Sequence, residues 1–81
     1  MSKDILDLHG YKSEDVEPAI DRFLLQLSKS NLSRARIMTG KGSGVVKNIA
    51  IRYLKQAGYP WNYEKMDNGK SNEGVLVLFL D

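Results

Sequence analysis

Apolar and polar residues alternate from the start of the chain. In "DILDLH", Leu6 and Leu8 fall on one side and Ile5, Asp7 and His9 on the other, which predicts a short strand with one covered face, ended by Gly10. From Val16 the period changes: Val16, Ala19, Ile20, Phe23, Leu24 and Leu27 follow the three-and-four spacing of an amphipathic helix. Ser13 reads as its N-cap, with a start that can slide to Glu14 or Asp15 so that Pro18 falls in the first turn, where a missing N–H costs nothing. "NLSR" is a polar connector and "ARIMT" a second strand. A second stripe, Val46, Ile49, Ala50, Tyr53, Leu54 and Ala57, predicts another helix, stopped by Gly58 and Pro60. "WNYEKM" reads as a third strand and residues 67–74 as a loop too polar for a core. "VLVLFL" reads as a fourth strand, apolar at every position as a central strand would be.

The order βαβαββ fits few arrangements. Right-handed crossovers in a sheet that grows in one direction put both helices on the same side. The expected fold is therefore an α/β two-layer sandwich: a four-stranded mixed sheet with both helices on one face, the other face open, and the last two strands paired as an antiparallel hairpin. At 81 residues, with 42% hydrophobic and 27% charged residues and no internal repeat or linker, residues 1–81 are expected to form one ordinary globular domain. The absence of cysteine removes disulfides, thiolate nucleophiles and the usual structural zinc sites, and makes a reducing compartment the simplest setting. No apolar run approaches a membrane span, and the N-terminus is charged where a signal peptide is apolar, so a cytoplasmic protein is expected.

The net charge of +2 conceals a strong asymmetry. Residues 1–30 carry four basic and six acidic side chains, whereas residues 31–58 carry six basic ones (Arg34, Arg36, Lys41, Lys47, Arg52 and Lys55) and no acidic one. Inside this basic block lies "IMTGKGSGVV", where Gly40, Gly42 and Gly44 alternate with Lys41 and Ser43 between a strand and a helix. Such a junction aims unpaired backbone N–H groups and the positive end of a helix dipole at one spot, and glycines let an anion reach the main chain. Lys41 adds a charge and Ser43 a hydroxyl donor. The plainer reading of the same glycines is a tight strand-to-helix turn. The spacing fits neither the Walker pattern nor the dinucleotide fingerprint, so a polyanionic backbone suits the extended basic block better than a bound nucleotide. The candidate phosphate-binding residues are Thr39, Gly40, Lys41, Gly42, Ser43, Lys47 and Arg36.

The single histidine, His9, sits two residues after Asp7, so in a strand both leave one face roughly 6–7 Å apart. Imidazole gives and takes a proton near neutral pH, and a neighbouring carboxylate can fix its tautomer. The competing assignment is a strand-end histidine with Asp7 bonded to loop amides. Topology brings the ends of parallel strands together, so His9 and Gly10 are expected beside Thr39 to Ser43 across one crevice. One histidine and one carboxylate make a poor metal set; a magnesium ion there would be held largely by water and substrate phosphate. Trp61 and Tyr63 share a face of the third strand, where they either pack or stack on bases at the open side of the sheet. The loop at residues 67–74 is a candidate to close over a substrate.

"LDLHG", then a helix, then "TGKGSG" opening a second helix, then a terminal apolar strand, resemble the small MutS-related (Smr) domain, from Asp4 to Leu80. The resemblance implies a fold like the C-terminal domain of bacterial translation initiation factor three. It also implies association with nicking of DNA or endonucleolytic cleavage of RNA, in proteins that occur alone, at the end of MutS-type repair proteins, or joined to helical-repeat RNA-binding segments. Its acidic and histidine positions fall on Asp7 and His9, and its glycine motif on Thr39, Gly40, Lys41 and Gly42. Many relatives carry histidine where this chain has Thr39, and many have paired glycines where it reads "NEG", Asn72 to Gly74. The reading is thus a nucleic-acid endonuclease with Asp7 and His9 in acid–base roles. RNA is favoured over DNA because a 2′-hydroxyl supplies an internal nucleophile. The partner is nucleic acid, with the ribosome or a larger repair protein as further candidates, and Mg2+ is the candidate cofactor. The alternative is a non-catalytic module that docks nucleic acid or a ribonucleoprotein through the same cradle; a protein-interaction domain is the third class.

Overall fold

In the computed structural model, which describes residues 4–40 and 44–80, the elements follow in the expected order: β1 (Ile5–Asp7), α1 (Ser13–Ser28), β2 (Arg34–Met38), α2 (Val45–Ala57), β3 (Trp61–Lys65) and β4 (Ser71–Phe79). The sheet order is β1-β2-β4-β3. β1 runs parallel to β2, and β4 inserts between β2 and β3, antiparallel to both. The expected two-layer mixed-sheet sandwich is therefore the observed fold.

Alternation along the strands sets the two faces. Leu8, Ala35, Ile37, Leu76 and Leu78 are buried and pack with Val16, Ile20, Leu24, Leu27, Ala50 and Leu54 of the helices in one core. The other face carries Ile5, Asp7, Arg34, Arg36 and Met38, all exposed. β4 is apolar on both sides because it is flanked by strands on both edges. Its outward-facing Val77 and Phe79 are shielded only in part.

Two boundaries and one face assignment depart from the sequence expectation. Helix α1 begins at Ser13 with Lys12 in the cap position, so Pro18 lies inside the helix rather than in its first turn. Complete burial of Val16, which must be on the helix to reach the core, draws the start a turn ahead of the proline. β4 starts at Ser71, which shrinks the expected loop at 67–74 to a hairpin turn: Met66 N–H donates to the Lys70 carbonyl at 2.8 Å, and Gly69 takes a φ of +84°. Backbone pairing along Ser71 and Asn72 holds the polar segment in the sheet without an apolar pattern. Between Tyr63 and Glu64 the register shifts, so Tyr63 faces Leu76 while Glu64 faces Asn72; Glu73, Gly74 and Val75 form a bulge.

The third departure concerns the aromatic pair. Trp61 lies opposite Leu78 and Tyr63 opposite Leu76, so both rings point to the helix side. They meet edge to face at 5.1 Å and pack against the core. Stacking of Trp61 and Tyr63 on bases at the open side of the sheet is thereby ruled out.

The helices are joined at the surface by Tyr53, whose hydroxyl donates to Asp21 Oδ1 at 2.7 Å. That bond, with some desolvation and the negative charges of Asp21 and Glu17, pushes the Tyr53 phenol up from 10.0 to about 12. Folding thus favours the protonated phenol, so its contribution to stability is complete below pH 10 and is lost as pH rises toward 12. Tyr53→Phe is expected to lower stability by about 1 kcal/mol at neutral pH. The gap between wild type and variant should close above pH 10 in denaturant titrations. Leu76→Ala, in the middle of the buried face, is expected to cost about 2–5 kcal/mol in the same measurement.

Candidate functional site

The candidate site forms where β1 and β2 end side by side. Leu8 N–H donates to the Met38 carbonyl at 2.8 Å, one bond beyond β1, and Tyr11 N–H returns to the Leu8 carbonyl across a turn with Gly10 at φ +80°. This turn leaves His9 exposed at the rim of the sheet. On β2 the chain leaves the sheet through Gly40, whose φ of +79° is a conformation that side-chain-bearing residues rarely adopt. A Cβ at Gly40 would lie 4.0 Å from His9 Nδ1, so the imidazole stands directly beside the glycine backbone.

Asp7 reaches the same place from the strand. Its Oδ1 accepts a hydrogen bond from the His9 backbone N–H at 2.9 Å, an Asx-type contact that holds the turn. The carboxylate therefore fixes the segment carrying the imidazole instead of bonding the ring. Asp7, His9, Met38 and Gly40 line one side of an open crevice of about 270 Å³, and Asn72, Gly74 and Val75 line the other.

The far wall comes from the β4 bulge. The Gly74 carbonyl accepts from Thr39 N–H at 2.8 Å and from Gly40 N–H at 3.2 Å, tying the bulge to the end of β2. Asn72 Oδ1 accepts from Gly74 N–H at 3.1 Å, which fixes the orientation of the side-chain amide and directs its NH2 group away from that bond. Asn72 is thus a donor at the crevice that residue type alone does not single out. Its only trace in the sequence is "NEG" breaking the run into the last strand.

The other sequence-predicted residues are dispersed. Thr39 is buried; its Oγ1 lies 3.5 Å from the carbonyls of Gly74 and Gly40, and its N–H is taken by Gly74, so its contacts are structural. Lys41, Gly42 and Ser43 lie outside the described residues. Lys47, in the first turn of α2, holds its ammonium 3.6 Å from Glu73 Oε1 and 5.7 Å over the Tyr63 ring, on the bulge side of the junction. Arg36 is on the open face, where its Nε pairs with Glu64 Oε2 at 3.2 Å. The structure therefore brings Asp7, His9 and Gly40 together, sets Lys47 to one flank and places Arg36 farther along the sheet.

Helix α2 opens at Gly44, with φ +85° and no side-chain cap, and its first helical bond runs from Asn48 N–H to the Gly44 carbonyl at 2.9 Å. The early N–H groups of this 13-residue helix follow directly on the glycine junction. Among the described residues no group of three or more histidine, aspartate or glutamate side chains is placed to hold a metal ion. Nor is any described helix long and apolar enough to cross a membrane.

Comparison with known proteins gives a consistent assignment. The family model of the Smr domain matches residues 6–81. An Endonuclease MutS2 of Streptococcus thermophilus is 28% identical over 75 residues, and one of Clostridium novyi is 32% identical over 75 residues. Each match covers 93% of this chain and 10% of the relative, so the chain spans about a tenth of the length of these proteins. Among solved structures, the Smr domain of Thermus thermophilus MutS2 superposes with a TM-score of 0.80 at 23% identity, covering 96% of this chain and 98% of that one. YdaL, a stand-alone small MutS-related protein from Escherichia coli, gives 0.78 at 18% identity, covering 99% of this chain and 66% of that one. With its fold shared by both structures and its sequence matched nearly from end to end, the chain belongs to the Smr domain family.

Proposed function

We propose that the crevice between His9 and Gly40 receives a nucleic-acid phosphate and that the domain is an endonuclease acting on RNA in preference to DNA. The observation that carries this reading is the position of the His9 ring. It is exposed, lies next to a glycine backbone in a left-handed conformation, and stands at the mouth of a junction leading into a helix N-terminus. A proton-transfer group thus stands beside Gly40, the residue at which the glycine-rich segment proposed to hold an anion begins. The name Endonuclease MutS2 borne by relatives supports a nuclease over other phosphate-binding roles.

In this mechanism His9 takes the proton of a ribose 2′-hydroxyl. The 2′-oxygen bonds to phosphorus, the bond from phosphorus to the 5′-oxygen breaks, and the leaving oxygen takes a proton from water or from the protonated imidazole. The products are a 2′,3′-cyclic phosphate and a 5′-hydroxyl. Negative charge developing on the phosphoryl oxygens falls to the Asn72 amide and, by sequence, to Lys41, Ser43 and the backbone N–H groups of residues 41–43. Asp7 acts as a positioning residue: it holds the His9 backbone and with it the approach of the ring.

The test is incubation of the domain and of His9→Ala with end-labelled RNA and DNA, with and without EDTA. Loss of the general base is expected to slow RNA cutting by about 10²–10⁴-fold while binding persists. Products with 5′-phosphate and 3′-hydroxyl ends, formed only with metal, would contradict the internal-nucleophile route. Binding without cutting by either protein would favour the docking module. Gly40→Ala is expected to cost about 1–2 kcal/mol from the left-handed backbone. It should also weaken RNA binding by setting a methyl group beside the imidazole, read by thermal melting and by titration with labelled RNA.

A further inference from the structure

The open face of the sheet is ordered in rows that lead away from the crevice. Asp7, Met38 and Val75 form the row at its mouth; Ile5, Arg36, Val77 and Asn62 form the next; Arg34 and Phe79 form the third. Met38 and Val75 line the crevice itself, so the surface is continuous with it. In the third row the Arg34 guanidinium lies over the Phe79 ring, 5.6 Å from its centroid. Arg34 is exposed, and among the described residues it forms no ion pair, whereas Arg36 is held by Glu64.

From this arrangement we infer that Arg34 and Phe79 form a base-stacking site for single-stranded nucleic acid running over the open face into the crevice. The inference rests on the proposed function and extends it to a path and a strandedness. A guanidinium backed by an aromatic ring is a flat cationic platform, which suits a base whose own phosphate lies alongside. The intervening row offers apolar contact from Ile5 and Val77 and a cation in Arg36. Among the described residues of the face, Asp7 is bound to the His9 turn and Glu64 to Arg36. Arg34 is four residues from Met38 along β2, or about 13 Å. A stacked strand covers that distance in about four nucleotides, at about 3.4 Å each. A duplex, with its bases already stacked on one another, gains nothing from such a platform.

The test compares a CA-repeat RNA of about a dozen nucleotides with an abasic oligomer carrying the same number of phosphates, by fluorescence anisotropy. The proteins are wild type, Arg34→Ala and Phe79→Leu, each confirmed as folded by thermal melting. Wild type is expected to bind the base-bearing strand about tenfold more tightly, a typical stacking effect. Both variants should lose that preference, and Phe79→Leu should do so without a change in salt dependence. Equal binding of the two oligomers by wild type, or an unchanged preference in both variants, overturns the inference. In that case loss of cutting in His9→Ala would leave the proposed function standing. Binding of neither oligomer, with no cutting, would remove both. If Phe79→Leu alters only self-association in sedimentation, the face is a protein interface and the inference fails.

Discussion

The geometry of the candidate site hangs on the Gly74 carbonyl, which receives the N–H groups of Thr39 and Gly40 at 2.8 and 3.2 Å. Without these bonds the chain beyond Met38 would leave the sheet with only the Leu8-to-Met38 contact behind it, and Gly40 would lose its fixed place beside the turn that carries His9. With them, Gly40 is held at positive φ beside the imidazole, and the bulge that supplies the carbonyl becomes the opposite wall of the crevice. The Asx contact from Asp7 to His9 N–H performs the corresponding task on the β1 side. Two strand ends are thus each locked by a short polar contact, and the space between them is defined by backbone.

A second constraint acts through the division of faces. The helices claim every aromatic of β3 for the covered side, and Trp61 and Tyr63 complete the core's edge against Leu78 and Leu76. What is left uncovered mixes arginine with partly exposed apolar side chains, a surface unlike either a core or an ordinary solvated sheet. Because β4 is internal, its outward residues cannot be discarded as edge decoration; they sit in the middle of the open face next to β2.

Much of this architecture is legible in the sequence, for reasons that also explain what is not. The three-and-four spacing from Val16 to Leu27 can only bury one stripe of a helix, and Gly44 and Gly58 bracket α2 because both ends need positive φ. Strict alternation in "DILDLH" puts Leu8 in the core and Asp7 outside. Alternation says that Trp61 and Tyr63 share a face but not which one; pairing with Leu76 and Leu78 decides it, and pairing is a property of two segments. The strand at Ser71 and Asn72 is hidden for the same reason, since its stability comes from partners across the hairpin. Asp7, His9 and Gly40 meet at the ends of two neighbouring strands, and local pattern already marks each of them. Asn72 and Gly74 reach the crevice only through a bulge, which no local pattern announces.

That bulge also works as a mechanical break in the hairpin. Register beyond it, at Glu64 and Lys65, is set independently of register before it, at Trp61 and Tyr63. A residue inserted, lost or exchanged at the tip therefore shifts the outer pairs without sliding Leu76 and Leu78 out of the core. Asn72, two residues past the tip, lines the crevice, so a change of length at the tip is felt at the wall of the site while the packed layer behind it keeps its alignment.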